Sequence, residues 1–150
     1  MWNWKKSVVL SYIVCVLLIL IILSACILAP FFISDFFGFL NIKENIIKHN
    51  TFMGCLYPCS VFGIITVLSL MKMLKRIYNG NPFCKANVRS LKLISVCCFL
   101  VAIVMLIGSF FCRTFIFIAA AAGFFGLILR VVKNVIHAAV KLREENDLTV

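Results

Sequence analysis

The chain has 150 residues, enough for one domain, and 64% of them are apolar while only 13% are charged. Soluble domains carry about 25% charged residues, and a domain this small cannot bury so much apolar surface in water. This composition excludes a soluble globular protein and predicts a membrane protein, in which the net charge of +10 must be explained by the positions of the basic residues.

Four stretches of the chain contain no Asp, Glu, Lys, Arg or His. A helix rises about 1.5 Å per residue, so about 20 residues cross a hydrocarbon core about 30 Å thick. The last stretch is short and needs the continuation through Arg130 to Val132. We therefore predict an all-α membrane protein, a single four-span domain with spans at about 7–29, 51–71, 93–112 and 114–132.

The third and fourth stretches are separated only by Arg113. A single helix from Leu93 to Leu129 would be about 55 Å long, far more than one crossing requires. A tight hairpin near Gly108–Thr114 is the better prediction.

The basic residues are divided unequally between the connections. Cytoplasmic loops carry an excess of Lys and Arg, and with the N-terminus inside, only Lys43, Lys48 and Arg113 fall outside. This predicts a multi-pass membrane protein with both termini, the loop 72–92 and the helical tail 133–150 in the cytoplasm. Because topology already explains the basic charge, no direct nucleic acid binding is expected, and the bilayer's anionic head groups are the expected partner of this face.

The outer connection, from Pro30 to Asn50, begins with a phenylalanine-rich run and continues with Ile42, Ile46 and Ile47 on one helical face. We predict a short amphipathic helix lying on the outer membrane surface. The alternative is a hydrophobic lid over a ligand site.

A different interpretation of the N-terminus starts from Leu23-Ser24-Ala25-Cys26, which matches the bacterial lipobox. Cleavage before Cys26 and its lipidation would leave three spans. The apolar run before Cys26 is at or beyond the usual length of a signal core of about 7–15 residues, and the chain stays apolar after it. Four spans remain the main prediction.

The eight cysteines raise the hypothesis of a thiol-redox membrane enzyme. Cys55 and Cys59 are four residues apart, a spacing poorly suited to an unstrained disulfide, and cysteines within spans behave as small apolar residues. His49 and His137 fall on opposite sides of the predicted membrane. The sequence therefore predicts no catalytic residue, no metal site and no cofactor.

Small residues recur at four-residue spacing in two of the predicted spans. Such stripes let helices approach closely in lipid, and we expect this packing to lie within one chain. The pairs are Ala119/Gly123 and Ala122/Gly126, and the triplet is Cys55, Cys59 and Gly63.

The second span runs on to Tyr78 and is predicted to end at Asn79-Gly80, since glycine accepts the left-handed conformation of a helix C-terminus. A new helix is predicted near Cys84–Lys85. The segment from Asn79 to Leu91 resembles the Gly-x-Pro-Phe-Ser/Thr-x-x-Asn turn of a bacterial membrane family known as domain of unknown function 2975. The end of the chain, Leu142 to Val150, resembles the family's acidic closing signature, Lys-Glu-Glu-Asn-Asp-Leu-Thr-Ile.

Two departures from the family pattern occur in the turn. Cys84 stands where a Ser/Thr helix cap is usual, and Ala86 where an acidic residue is common. Loss of a side-chain cap weakens a helix start by about 1 kcal/mol.

The resemblance implies a four-span layout but no established activity. It also implies a regulatory setting, since members of the family are often encoded beside small helix-turn-helix regulators. We therefore expect a non-enzymatic integral membrane protein, a regulatory or accessory protein that docks a cytoplasmic protein such as a regulator of that kind. The alternative is a small transporter, channel or peptide-immunity protein. The acidic tail is expected near Lys85, Arg89 and Lys92. The residues expected to form the interaction motif are Gly80, Pro82, Phe83, Asn87, Arg89, Glu144, Glu145 and Asp147.

Overall fold

The chain folds into four α-helices. The computed structural model describes residues 4–39, 46–80, 84–111 and 113–147, and these contain no strand. The helices are α1 (Trp4–Phe39), α2 (Ile46–Tyr78), α3 (Lys85–Gly108) and α4 (Phe115–Asp147). Each contains a segment long and apolar enough to cross a membrane. The predicted all-α fold is confirmed, and the chain is a multi-pass membrane protein.

Helix α1 continues further than expected. The sequence places a loop from Pro30 onward, whereas the helix passes through Pro30 and ends at Phe39. Proline removes only one backbone donor, and breaking an apolar helix near lipid would leave more backbone groups unsatisfied. Residues 40–45 of the predicted surface helix lie outside the described residues, and Ile46 and Ile47 belong to the first turn of α2.

The helices form an antiparallel row in chain order. Helix α1 packs on α2, α2 on α3, and α3 on α4. Among the described residues, the Cα atoms of α1 stay more than 8 Å from those of α3 and α4, so the row does not close into a bundle. Most large apolar side chains on α1 are therefore exposed, as expected for a helix that faces lipid.

Helices α3 and α4 lie close together at two glycines of α4. A Cβ added to Gly126 would stand 3.4 Å from the Cys98 Cβ and from the ring of Phe99, and one on Gly123 would stand 3.9 Å from Ala102. Ser95, only 4% exposed, donates its hydroxyl to the carbonyl oxygen of Gly126 at 2.8 Å. This confirms that the small-residue stripe of α4 packs within the chain.

A second tight contact joins α2, α3 and α4 where the last two helices meet. A Cβ on Gly108 would stand 2.7 Å from Cys55 Sγ and 2.8 Å from the ring of Phe115. The ring of Phe115 also lies 5.9 Å, centroid to centroid, from that of Phe52 on α2. Glycine is required here because a side chain would displace both neighbours. The predicted hairpin is confirmed, since α3 ends at Gly108 and α4 begins at Phe115.

Candidate functional site at the basic end of the helices

The antiparallel row gathers basic side chains at one end, which we call the basic end. This end comprises the start of α1, the end of α2, the first turns of α3 and the second half of α4. Most of its cations are exposed. Those with described side chains are Lys6, Lys72, Lys75, Arg76, Lys85, Arg89, Lys92, Arg130, Lys133, Lys141 and Arg143.

The opposite end holds few cations. Arg113 is exposed in the turn between α3 and α4, and Lys48 lies in the first turn of α2. The third basic residue expected there, Lys43, lies outside the described residues. The charge asymmetry read from the sequence is therefore also an asymmetry between the two ends of the folded row.

The turn between α2 and α3 has the local geometry that its residues predict. Gly80 adopts a left-handed conformation, with φ of 82°, and its N–H donates to the carbonyl oxygen of Ile77 at 3.0 Å. Helix α3 starts after Cys84, whose backbone is extended and whose side chain makes no capping hydrogen bond. Both predictions, the glycine end of α2 and the missing cap of α3, are confirmed.

Arg76 ties the end of α2 to the start of α3. Its Nη1 donates to Ser90 Oγ at 3.0 Å, to the carbonyl oxygen of Ala86 at 3.2 Å and to Asn87 Oδ1 at 3.4 Å. The hydroxyl of Ser90 in turn donates to the carbonyl oxygen of Ala86 at 3.1 Å. One guanidinium thus holds together the first two turns of the next helix.

Asn87 is the buried partner in this arrangement. Its side chain is 1% exposed, which is costly for an amide unless it is hydrogen-bonded. Its contact with Arg76 accounts for the asparagine of the turn motif in physical terms. Asn87 thus joins the start of α3 to the end of α2 through Arg76, whereas Arg89, two residues later, is exposed.

Sequence reasoning did not identify Arg76 as a site residue. It was treated as one cation among many in a basic loop. Two features of the sequence could have indicated its role: Arg76 lies in the last turn of α2, and an asparagine, Asn87, follows the turn. That signal becomes specific only when the antiparallel pairing of α2 and α3 is known.

The acidic tail continues α4 beyond the level of α3. The register set by Ser95 with Gly126 and by Ala102 with Gly123 brings Lys85 level with about residue 140. At about 1.5 Å per residue, Glu145 lies roughly 8 Å beyond Lys85 but roughly 18 Å beyond Lys92. A contact of Glu145 with Lys92 is incompatible with this register, and pairing with Lys85 stays a prediction.

Glu145 has a partner on its own helix. One of its carboxylate oxygens lies 3.7 Å from Lys141 Nζ, and both side chains are well exposed. Such exposed pairs contribute about 0–1 kcal/mol. Asp147 is the last residue of α4, but the side chains of Glu144 and Asp147, like the whole of Pro82 and Phe83, lie outside the described residues.

The described cysteines carry free thiols, at positions 15, 26, 55, 59, 84, 97 and 98. Cys55 and Cys59 are thus not joined, and Cys55 instead approaches the carbonyl oxygen of Val104, with Sγ at 3.9 Å. In the described parts of the chain no group of three or more His, Cys, Asp or Glu side chains is placed to hold a metal ion.

Comparison with known proteins identifies a family over nearly the whole chain. No curated protein and no solved structure matches this chain. The model of one family, described as a protein of unknown function (DUF2975), matches residues 4–150. The two sequence motifs, the four apolar helices and this match agree, and the chain belongs to the DUF2975 family.

Proposed function

We propose that this protein is a non-enzymatic accessory or regulatory protein of the bacterial cytoplasmic membrane, which docks a cytoplasmic protein on its basic end. The observation that carries the proposal is the set of three hydrogen bonds from Arg76 to Ala86, Asn87 and Ser90, which we call the Arg76 brace, because it holds the end of α2 against the start of α3. The exposed cations Lys85 and Arg89 lie on this braced start of α3, and such a pattern of cations favours a specific partner with an acidic surface.

The orientation in this proposal rests on the positive-inside rule. Basic residues flanking spans are retained in the cytoplasm, and the basic end carries most of the described cations. Reporters fused after Val150 test it. A fluorescent protein there is expected to fold and fluoresce, while alkaline phosphatase at the same point stays inactive. The reverse pattern would place the basic end outside and overturn the docking proposal.

The partner is best sought by photo-crosslinking in native membranes. A photoreactive amino acid at position 89 is expected to yield an adduct with a cytoplasmic protein, whereas one at Arg113, exposed at the opposite end, is not. Neutralising Lys72 and Lys85 to Gln should reduce the adduct, since both contribute to the same charge pattern. Identical adducts from both positions, or lipid adducts alone from position 89, would contradict the proposal.

A small transporter, channel or peptide-immunity protein is the alternative. In the described residues α1 does not approach α3 or α4, so a single copy encloses no space between the four helices. A pore would therefore need several copies. Ion flux from reconstituted vesicles that is absent below one copy per vesicle and appears only at several copies per vesicle would favour this alternative over docking.

A further inference from the structure

A cavity of about 100 Å³ lies between α3 and α4 where their apolar segments end at the basic end. Three of the residues that line it are cations, Lys92 on α3 with Arg130 and Lys133 on α4. Its lining also includes Ser95, Val96 and Phe99 and contains no carboxylate. We propose that this cavity binds the phosphate of an anionic phospholipid.

The charges around the cavity favour an anion. Cations gathered around one cavity repel one another, and an anion bound between them offsets the energy of this repulsion. Glu145 pairs with Lys141 and lies about 18 Å along α4 from Lys133, at about 1.5 Å per residue. That distance exceeds the screening length of about 8 Å at physiological salt, so the described carboxylate cannot neutralise the cavity.

The depth and shape of the cavity favour a lipid over a free anion. From Lys92 to Arg113, and from Arg113 to Arg130, the chain carries no charged residue, so these cations mark the edge of the hydrocarbon region, where lipid phosphates lie. Val96, 46% exposed, and the partly exposed Phe99 follow Lys92 on the same helical face. This places cations beside the phosphate and an apolar surface beside the acyl chain.

The volume suits one phosphate group. A water molecule needs only about 10–15 Å³ of such space, so a cavity of about 100 Å³ has room for a phosphate group. Ser95 donates its hydroxyl proton to the carbonyl oxygen of Gly126, so it cannot also donate that proton to a phosphate. The cations therefore supply the donors to the phosphate, and Ser95 holds the two helices at the spacing that leaves the cavity open.

The test compares two variants that lose the same charge. K92Q/R130Q/K133Q removes the cavity cations, whereas K72Q/R89Q/K141Q removes three exposed cations elsewhere at the basic end. Native mass spectrometry and vesicle titration measure binding of phosphatidylglycerol, with phosphatidylcholine and inorganic phosphate as the other two ligands. Circular dichroism and elution as a single species establish that both variants are folded. If the triple variant does not fold, K92Q/K133Q takes its place, and R130K is the control that keeps the charge.

The wild-type protein, the control variant and R130K are expected to retain phosphatidylglycerol in preference to phosphatidylcholine. The cavity variant should bind it at least about tenfold more weakly, and about a hundredfold if the three cations contribute independently. Equal losses in both triple variants would mean diffuse attraction and would overturn the proposal. Displacement of the lipid by millimolar inorganic phosphate would equally overturn it, since the site would then take the free ion.

Discussion

The Arg76 brace gives the sharpest prediction about stability. Removing the guanidinium by Arg76→Ala deletes its donations to Ala86, Asn87 and Ser90. A hydrogen bond from a charged group contributes about 1.5–3 kcal/mol. One nitrogen carries only two protons and so cannot satisfy three acceptors fully. We therefore expect a loss of about 2–3 kcal/mol, well above the roughly 0.5 kcal/mol of an ordinary surface substitution.

Two further variants separate geometry from charge. Lys72, one turn earlier on α2, is exposed, and Lys72→Ala should cost less than about 0.5 kcal/mol. Arg76→Lys keeps the charge but loses the planar group that reaches several acceptors, so we expect an intermediate loss.

The double variant Arg76→Ala/Asn87→Ala tests the contact itself, with an expected coupling of about 1 kcal/mol. The comparison also needs the single variant Asn87→Ala. Unfolding in mixed micelles of mild detergent and dodecyl sulfate, followed by circular dichroism, measures all five variants. Strictly additive losses for the pair, or a loss for Arg76→Ala no larger than that for Lys72→Ala, would refute the reasoning.

Three other predictions use the same unfolding assay. Gly80→Ala should lower the free energy of unfolding by about 1–2 kcal/mol, because φ of 82° is unfavourable for a residue with a Cβ; an unchanged value would mean that the turn relaxes freely. Cys84→Ser should raise it by about 1 kcal/mol by supplying the cap that α3 lacks, and no gain would show that the N-terminal amides are already satisfied. Gly126→Leu should cost about 1–3 kcal/mol or more by forcing α3 and α4 apart. Gly54→Leu, where an added Cβ meets nothing within 4 Å, is its matched control, and equal losses for the two would contradict the interface argument.

The local features of this chain were predictable because they depend on short-range chemistry. The apolar spans follow from composition and length, the end of α2 at Asn79-Gly80 from the left-handed preference of glycine, and the start of α3 after Cys84 from the proline before it. The end of α1 was not predictable from Pro30 alone. In lipid the cost of the one backbone donor that Pro30 lacks competes with the cost of leaving further backbone groups unsatisfied where the helix would end. The sequence does not show which cost is greater.

Features that depend on pairing between helices were not visible in the sequence. Every span is apolar nearly all round, so no stripe of residues indicates that α1 lies at the edge of a row, beside α2 alone. Arg76 and Asn87 are separated by a turn, and their contact exists only in one antiparallel register. The same register separates Glu145 from Lys92, although both belong to charged segments that the sequence alone places on the same side of the membrane.

The structure links the proposed lipid site to the close packing of α3 and α4. Ser95 lines the cavity and also bonds to Gly126, one turn before Arg130 on α4. The spacing of the three cations therefore depends on the absence of a side chain at Gly126, where the two helices lie close together. Closely packed helices deform little without a change of arrangement. Any event that separates α3 from α4 therefore also separates Lys92 from Lys133. A bound phosphate opposes that separation, since its attraction to both helices is greatest when they are close.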